Sequence, residues 1–169
     1  MNKIPEVSII IPCYNQGIFL NESVNSALSQ KVSIEVIIVD DGSNDVNTCN
    51  VINQIQERFT NVKVLKKANG GLSSARNFGI EHAQAPFILP LDADDKISLD
   101  YLLKTLPIIK NDNSVGIVYT KTGYFGSTRG VFKVPPYKNV QDMLFSSLIN
   151  CTALYKKMIG KELVDIQRK

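Results

Sequence analysis

Glu35-Val36-Ile37-Ile38-Val39-Asp40-Asp41-Gly42-Ser43 is the stretch that decides the fold. Four consecutive β-branched residues without polar alternation read as a strand buried on both faces. The run stops at two acids, a glycine and a serine, which are turn residues. Polar groups therefore gather at the carboxyl end of a central strand.

The same layout recurs on either side. Val7-Ser8-Ile9-Ile10-Ile11 stops at Pro12, Val62-Lys63-Val64-Leu65 forms a third run, and Phe87-Ile88-Leu89-Pro90-Leu91 is halted by Asp92-Ala93-Asp94-Asp95. Val115 to Tyr119 reads as a fifth strand. Between them the apolar spacing becomes helical: Phe19, Val24, Ala27 and Leu28 after a start at Gly17 or Asn21; Val51, Ile52, Ile55 and Phe59 after a cap at Ser43 or Asn44; Ser73 to Ala83 after Gly70-Gly71; and Leu99, Leu102, Leu103 and Leu106. This alternation predicts an α/β fold, a mainly parallel, Rossmann-like sheet flanked by helices. Such sheets hold ligands outside the carboxyl ends of their strands, where Asn15, Asp40, Asp41, Asp92 and Asp94 fall.

Beyond Tyr119 the pattern weakens. Thr122 to Val134 suggests a hairpin, Pro135-Pro136 punctuates the chain, and Val140 to Lys157 reads as one or two amphipathic helices. The expected division is a ligand-binding core over 1–120 and the start of a second region over 121–169.

Composition sets the class. With 169 residues, 44% hydrophobic and 21% charged, the chain can bury a core and is not disordered in type. A net charge of +3, carried by scattered lysines, gives no argument for nucleic acid. Cys13, Cys49 and Cys151 are widely spaced and odd in number, which suits packing thiols in a reducing compartment. No apolar stretch reaches the roughly 18 residues of a membrane span. The expected location is cytoplasmic, with attachment to the inner membrane face through a segment outside these residues left open.

Three constellations can carry chemistry. Asp92-Ala93-Asp94-Asp95 crowds three carboxylates behind a buried strand, an arrangement that a hard cation such as Mg2+ or Mn2+ relieves while sharing phosphate oxygens. A solvated acidic turn capping a helix at Ile97 to Leu106 reads the same residues without a ligand. Asp40-Asp41-Gly42-Ser43 offers acceptors for base or ribose hydrogens, or a plain turn and cap. Asn69-Gly70-Gly71-Leu72-Ser73-Ser74-Ala75-Arg76 opens a helix that favours an anion, with Arg76 in its first turn. Tyr14 either stacks on a base or covers the core. His82, the single histidine, lies on a helix far from any nucleophile.

Taken in order, Val7-Ser8-Ile9-Ile10-Ile11-Pro12-Cys13-Tyr14-Asn15, Ser26 to Gln30, Val36 to Ser43, Gly71 to Ile80 and Leu91 to Asp95 resemble the family-2 glycosyltransferases of the GT-A fold. The resemblance covers about residues 6 to 120, with a weaker segment at Leu154 to Gly160. It implies a nucleotide-binding set of Pro12, Tyr14, Asp40, Asp41, Arg76 and Asp92, and a metal site at Asp92 and Asp94 for Mn2+ or Mg2+. It also implies transfer of a sugar from a nucleotide-diphosphate donor, most often a UDP-sugar, to a glycan or lipid-linked acceptor hydroxyl. Inversion at the sugar and a role in surface polysaccharide synthesis follow from the same resemblance.

The chain departs from that pattern where the base is expected. After Tyr119 the acids are Asp142, Glu162 and Asp165, and none forms the Glu-Asp pair that supplies the base in the family. The catalytic base is therefore expected beyond residue 169, in the missing acceptor half of a truncated enzyme. A non-catalytic sugar-nucleotide-binding remnant is the alternative. A haloacid-dehalogenase-like phosphatase would need Asp92-x-Asp94 near the start of the domain, and a receiver-like module would need an acid where Val64-Leu65-Lys66 stands.

Overall fold

The computed structural model describes residues 4–132 and 151–158. The strands are β1 (Val7–Cys13), β2 (Ile34–Asp40), β3 (Val62–Lys66), β4 (Phe87–Pro90), β5 (Ile117–Val118), β6 (Gly123–Tyr124), β7 (Gly130–Val131) and β8 (Leu154–Lys156). The helices are α1 (Gly17–Leu28), α2 (Val46–Arg58), α3 (Leu72–His82) and α4 (Tyr101–Asn111). Six strands form one sheet in the order β3-β2-β1-β4-β8-β5, and β6 pairs with β7 as a separate hairpin. β1 to β4 are parallel, as their uninterrupted apolar runs predict.

Alternate residues of the buried strands serve two cores. Ile9, Ile11, Val36, Ile38, Leu89 and Leu91 join Leu20, Val24, Ile52, Leu102 and Leu106 from α1, α2 and α4 on one face. Ile10, Ile37, Val39 and Ile88 meet Ala75 and Ala83 beside α3 on the other. α3 packs so closely that a Cβ on Gly79 would come within 2.4 Å of Ile10 Cγ2 and 3.0 Å of Val39 Cγ2.

Several expectations are corrected. Val140 to Lys157 was expected to be helical, yet Leu154–Lys156 is a strand, antiparallel to both β4 and β5; residues 140–150 lie outside the described residues. The fifth strand is only Ile117–Val118 and reaches the parallel core through β8. Of the two expected starts of α1, Gly17 is the one observed. The cap of α2 is Asp45, whose carboxylate accepts from Thr48 N, because Ser43 and Asn44 are engaged elsewhere. Asn15 N donates to Ser43 Oγ and Asn15 Nδ2 to Asn44 Oδ1. α4 begins at Tyr101, which leaves Leu99 before it exposed; Leu103 lies on its outer side. The hairpin expected over Thr122 to Val134 is present as β6 and β7, with 133–134 outside the described residues.

Candidate functional site

The chain reverses direction across the sheet between β1 and β4, since β2 and β3 extend to one side of β1 and β4 to the other. A crevice at such a switch point is where open α/β sheets bind ligands. The segments following β1, β2 and β4 meet there, joined by the start of α3.

Pro12 is buried in β1 opposite Val39. Ile10 O accepts from Leu91 N, whereas Cys13 O accepts from Asp41 N, so even-numbered residues here turn toward β4 and odd-numbered ones toward β2. The β1–β4 pairing ends at Ile10 and Pro90, and the N–H that Pro12 lacks is not needed. Tyr14, just past the end of β1, is 45% exposed and so does not cover the core. Asn15 has φ +54°, and its Oδ1 accepts from Asn44 N and Asp45 N, both at 3.0 Å. It ties the end of β1 to the loop after β2.

Asp40 and Asp41 are both buried. Asp40 Oδ1 accepts from Ser43 N at 2.9 Å, which shapes the turn. Asp41 accepts from Lys67 Nζ at 2.6 Å, from Gly70 N and from Gly71 N at 2.8 Å. Burial opposes its ionisation, but the Lys67 hydrogen bond and the two glycine N–H groups outweigh it and hold the carboxyl below its usual range. The Gly70-Gly71 loop therefore does bind an anion, and in this structure the anion is the protein's own carboxylate. Sequence reasoning missed Lys67, whose partner lies 26 residues away with no local signal.

Arg76 Nη2 lies 2.6 Å from Asp92 Oδ1, and both side chains are about a quarter exposed or less. Arg76 Nε is buried with no hydrogen-bond partner among the described residues. The Asp92 carbonyl accepts from Ser23 Oγ of α1, and the Asp95 N–H bonds back to the same carbonyl. Asp94 is exposed on this turn, while Asp95 is half-buried. Burial first, then the charges of Asp92 and Asp94, raise the pKa of Asp95.

Cys151, expected to be a packing residue, instead donates from Sγ to Asp92 Oδ2 at 3.3 Å. One donor atom each from Asp92, Asp95 and Cys151 lies within 4.8 Å of the others. Two carboxylates and a thiol in that compass fit a divalent cation. Of the expected pair, only Asp92 belongs to this group: Asp94 is exposed on the same turn and stands outside it, and Asp95 and Cys151 are the donors beside Asp92. A cavity of about 210 Å³ opens beside Asp95, between Tyr101, Lys121, Phe125 and Thr152. Lys96 spans this side, 2.6 Å from Glu22 and 4.2 Å above the Phe125 ring. His82 is remote in role: its Nδ1 lies 2.8 Å from Phe78 O in its own helix.

Comparison with known proteins gives a consistent result. The profile of the family described as "Glycosyl transferase family 2" matches residues 8–163. The chain is 39% identical over 121 residues to the hyaluronan synthase of Pasteurella multocida, covering 71% of this chain and 12% of that protein. Residues 1–349 of S. aureus TarS, solved in complex with UDP-GlcNAc, superpose with a TM-score of 0.74 at 25% identity, over 93% of this chain and 47% of that one. The mannosyltransferase PcManGT of Pyrobaculum calidifontis, solved with GDP-Man and Mn2+, shares the fold at a TM-score of 0.72 and 19% identity, over 96% of this chain and 47% of that one. The chain spans less than half the length of each of these relatives.

Proposed function

The chain belongs to glycosyl transferase family 2 and has the GT-A fold, and from that premise we propose that it is the donor-binding core of a glycosyltransferase. The reaction is transfer of a sugar from a nucleotide diphosphate, a UDP-sugar first among candidates, to an acceptor hydroxyl. A glycan or lipid-linked acceptor, inversion at the sugar and a role in surface polysaccharide belong to the same reading. The observation that supports it is the Arg76–Asp92 pair, which joins α3 to the turn after β4, together with Asp41 after β2 holding the glycine loop that opens the same helix.

Each residue has a part in donor binding. Tyr14 offers an exposed ring for the base, with Pro12 two residues before it and the Asp40-Asp41 turn at the end of the neighbouring strand. Asp41 fixes the Gly70-Gly71 loop and so sets the distance of α3 from the nucleotide. Arg76, with its buried and unpartnered Nε, has donor capacity left for a diphosphate oxygen or the base. Asp92 and Asp94 would hold Mn2+ or Mg2+, which when bound neutralises charge on the leaving diphosphate. Attack by an acceptor also needs a base within hydrogen-bond reach, and this reading assigns none to these residues. The work falls into a core over 1–120 and an acceptor-side region from 121, in the cytoplasm or at the inner membrane face. No helix among the described residues is long and apolar enough to cross a membrane.

Calorimetric titration with UDP, with and without Mn2+, tests the reading. We expect binding that strengthens with Mn2+ and loses that gain in Asp94→Ala. Failure of the folded protein to bind any nucleoside diphosphate would sink it.

A further inference from the structure

We propose that Cys151 is a ligand of the divalent cation, so that the site prefers thiophilic ions over Mg2+. The inference rests on the donor-site reading above and shares Asp92 with it, but draws its other donors, Asp95 and Cys151, from outside the Asp92-x-Asp94 pair.

Two chain segments build the cluster independently. Asp92 and Asp95 come from the turn after β4, and Cys151 from the approach to β8, 59 residues from Asp92. β8 is hydrogen-bonded to β4 at Phe87 and Ile88, so sheet register fixes the approach of the sulfur. Ala153 and Leu154 are buried and anchor the segment.

The spacing suits a shared ion. Zinc-type bonds of about 2.3 Å to sulfur and about 2.1 Å to oxygen at a tetrahedral angle separate the two donors by roughly 3.6 Å. The observed Sγ to Oδ2 distance is 3.3 Å, within a few tenths of an ångström of that value. A cation would take the place of the thiol proton, which leaves to solvent as the metal–sulfur bond forms; no electrons are transferred.

A second observation comes from Arg76. Its Nη2 holds Asp92 Oδ1 while its buried Nε has no partner among the described residues. The guanidinium that grips Asp92 therefore keeps one donor unused, a capacity that an anion bound with the cation, such as a diphosphate, would draw on. Asp95 and Thr152, the neighbour of Cys151, line one cavity, so open space adjoins the cluster on that side.

A thiolate changes which ions are favoured. Mg2+ prefers hard oxygen ligands, whereas Zn2+, Co2+ and Cd2+ gain from sulfur. The full chain, with its cysteines reduced, is titrated with Co2+ and read by near-ultraviolet absorption, alongside Cys151→Ser. A sulfur-to-cobalt charge-transfer band is expected in the parent and absent from the variant. Cd2+ affinity should fall about 10-fold or more in Cys151→Ser, with Mg2+ affinity within about twofold. Absence of the band in the parent, its persistence in the variant, or unchanged Cd2+ affinity would overturn the proposal.

If Cys151→Ser does not fold, alkylation of the parent protein serves instead. Bound Cd2+ should slow modification of Cys151, read by peptide mass, and equal rates with and without Cd2+ would overturn the proposal. UDP binding with Mn2+ is followed in the same samples. UDP bound without a thiolate band defeats this inference alone, and a thiolate band without UDP binding defeats the donor reading alone.

Discussion

Asp41 shows how one side chain is committed twice over. Its carboxylate takes the Lys67 ammonium and two backbone N–H groups while only 4% of the side chain is exposed. Removing one partner from a buried, hydrogen-bonded ion pair leaves the other uncompensated, at a cost of about 3–5 kcal/mol. Asp41→Asn should therefore lower the urea midpoint strongly, and Lys67→Met should do so as well. The pH dependence has a definite sign. The folded pKa of Asp41 lies below its unfolded value, so its contribution is present above the ordinary carboxylate range and is lost as pH falls through the folded pKa. The gap in urea midpoint between parent and Asp41→Asn should be wide at pH 7 and narrow as the pH is lowered below the ordinary carboxylate range; a gap that stays constant with pH would contradict this.

Among the elements, α3 is seated closely on the sheet. Its Gly79 faces Ile10 and Val39 with no room for a methyl group. Gly79→Ala should cost about 1–3 kcal/mol through overpacking, in spite of the better helix propensity of alanine. An unchanged melting temperature would show that α3 can lift away from the sheet. The elements also show what the sequence made legible. β1, β2 and β4 could be read because strands covered on both faces need unbroken apolar runs, and Asp40, Asp41 and Asp92 could be placed because those runs stop at them. β8 could not: Leu154-Tyr155-Lys156 is three residues long, and its neighbours carry a helix-like pattern. Its identity comes from pairing with Phe87, 69 residues before Lys156, which no local window contains. The cap of α2 failed for a related reason, since Asn15 draws Ser43 and Asn44 away from it. Lys67 and Cys151 likewise acquire their roles only from distant carboxylates.

At the scale of the whole molecule, the proposed donor site is not accompanied by an adjacent Glu-Asp pair after the Asp-x-Asp turn within these 169 residues. These 169 residues should bind a sugar nucleotide but turn over far more slowly than about 1 per second, assayed by release of the nucleoside diphosphate. A rate in the ordinary enzyme range would require a base among the residues present. Placement of β8 between β4 and β5 also bears on the order in which the molecule is made. Strands β1 to β4 leave the ribosome first, and synthesis at about 5–20 residues per second delays β8 by several seconds more. Until then the free edge of β4 is an unpaired template in a nascent chain, and closing the intervening loop is slow compared with local helix formation. Asp92, Asp95 and Arg76 are thus made before Cys151 can reach them, and the strand that arrives last among those described both seals an aggregation-prone edge and brings the sulfur to the carboxylates.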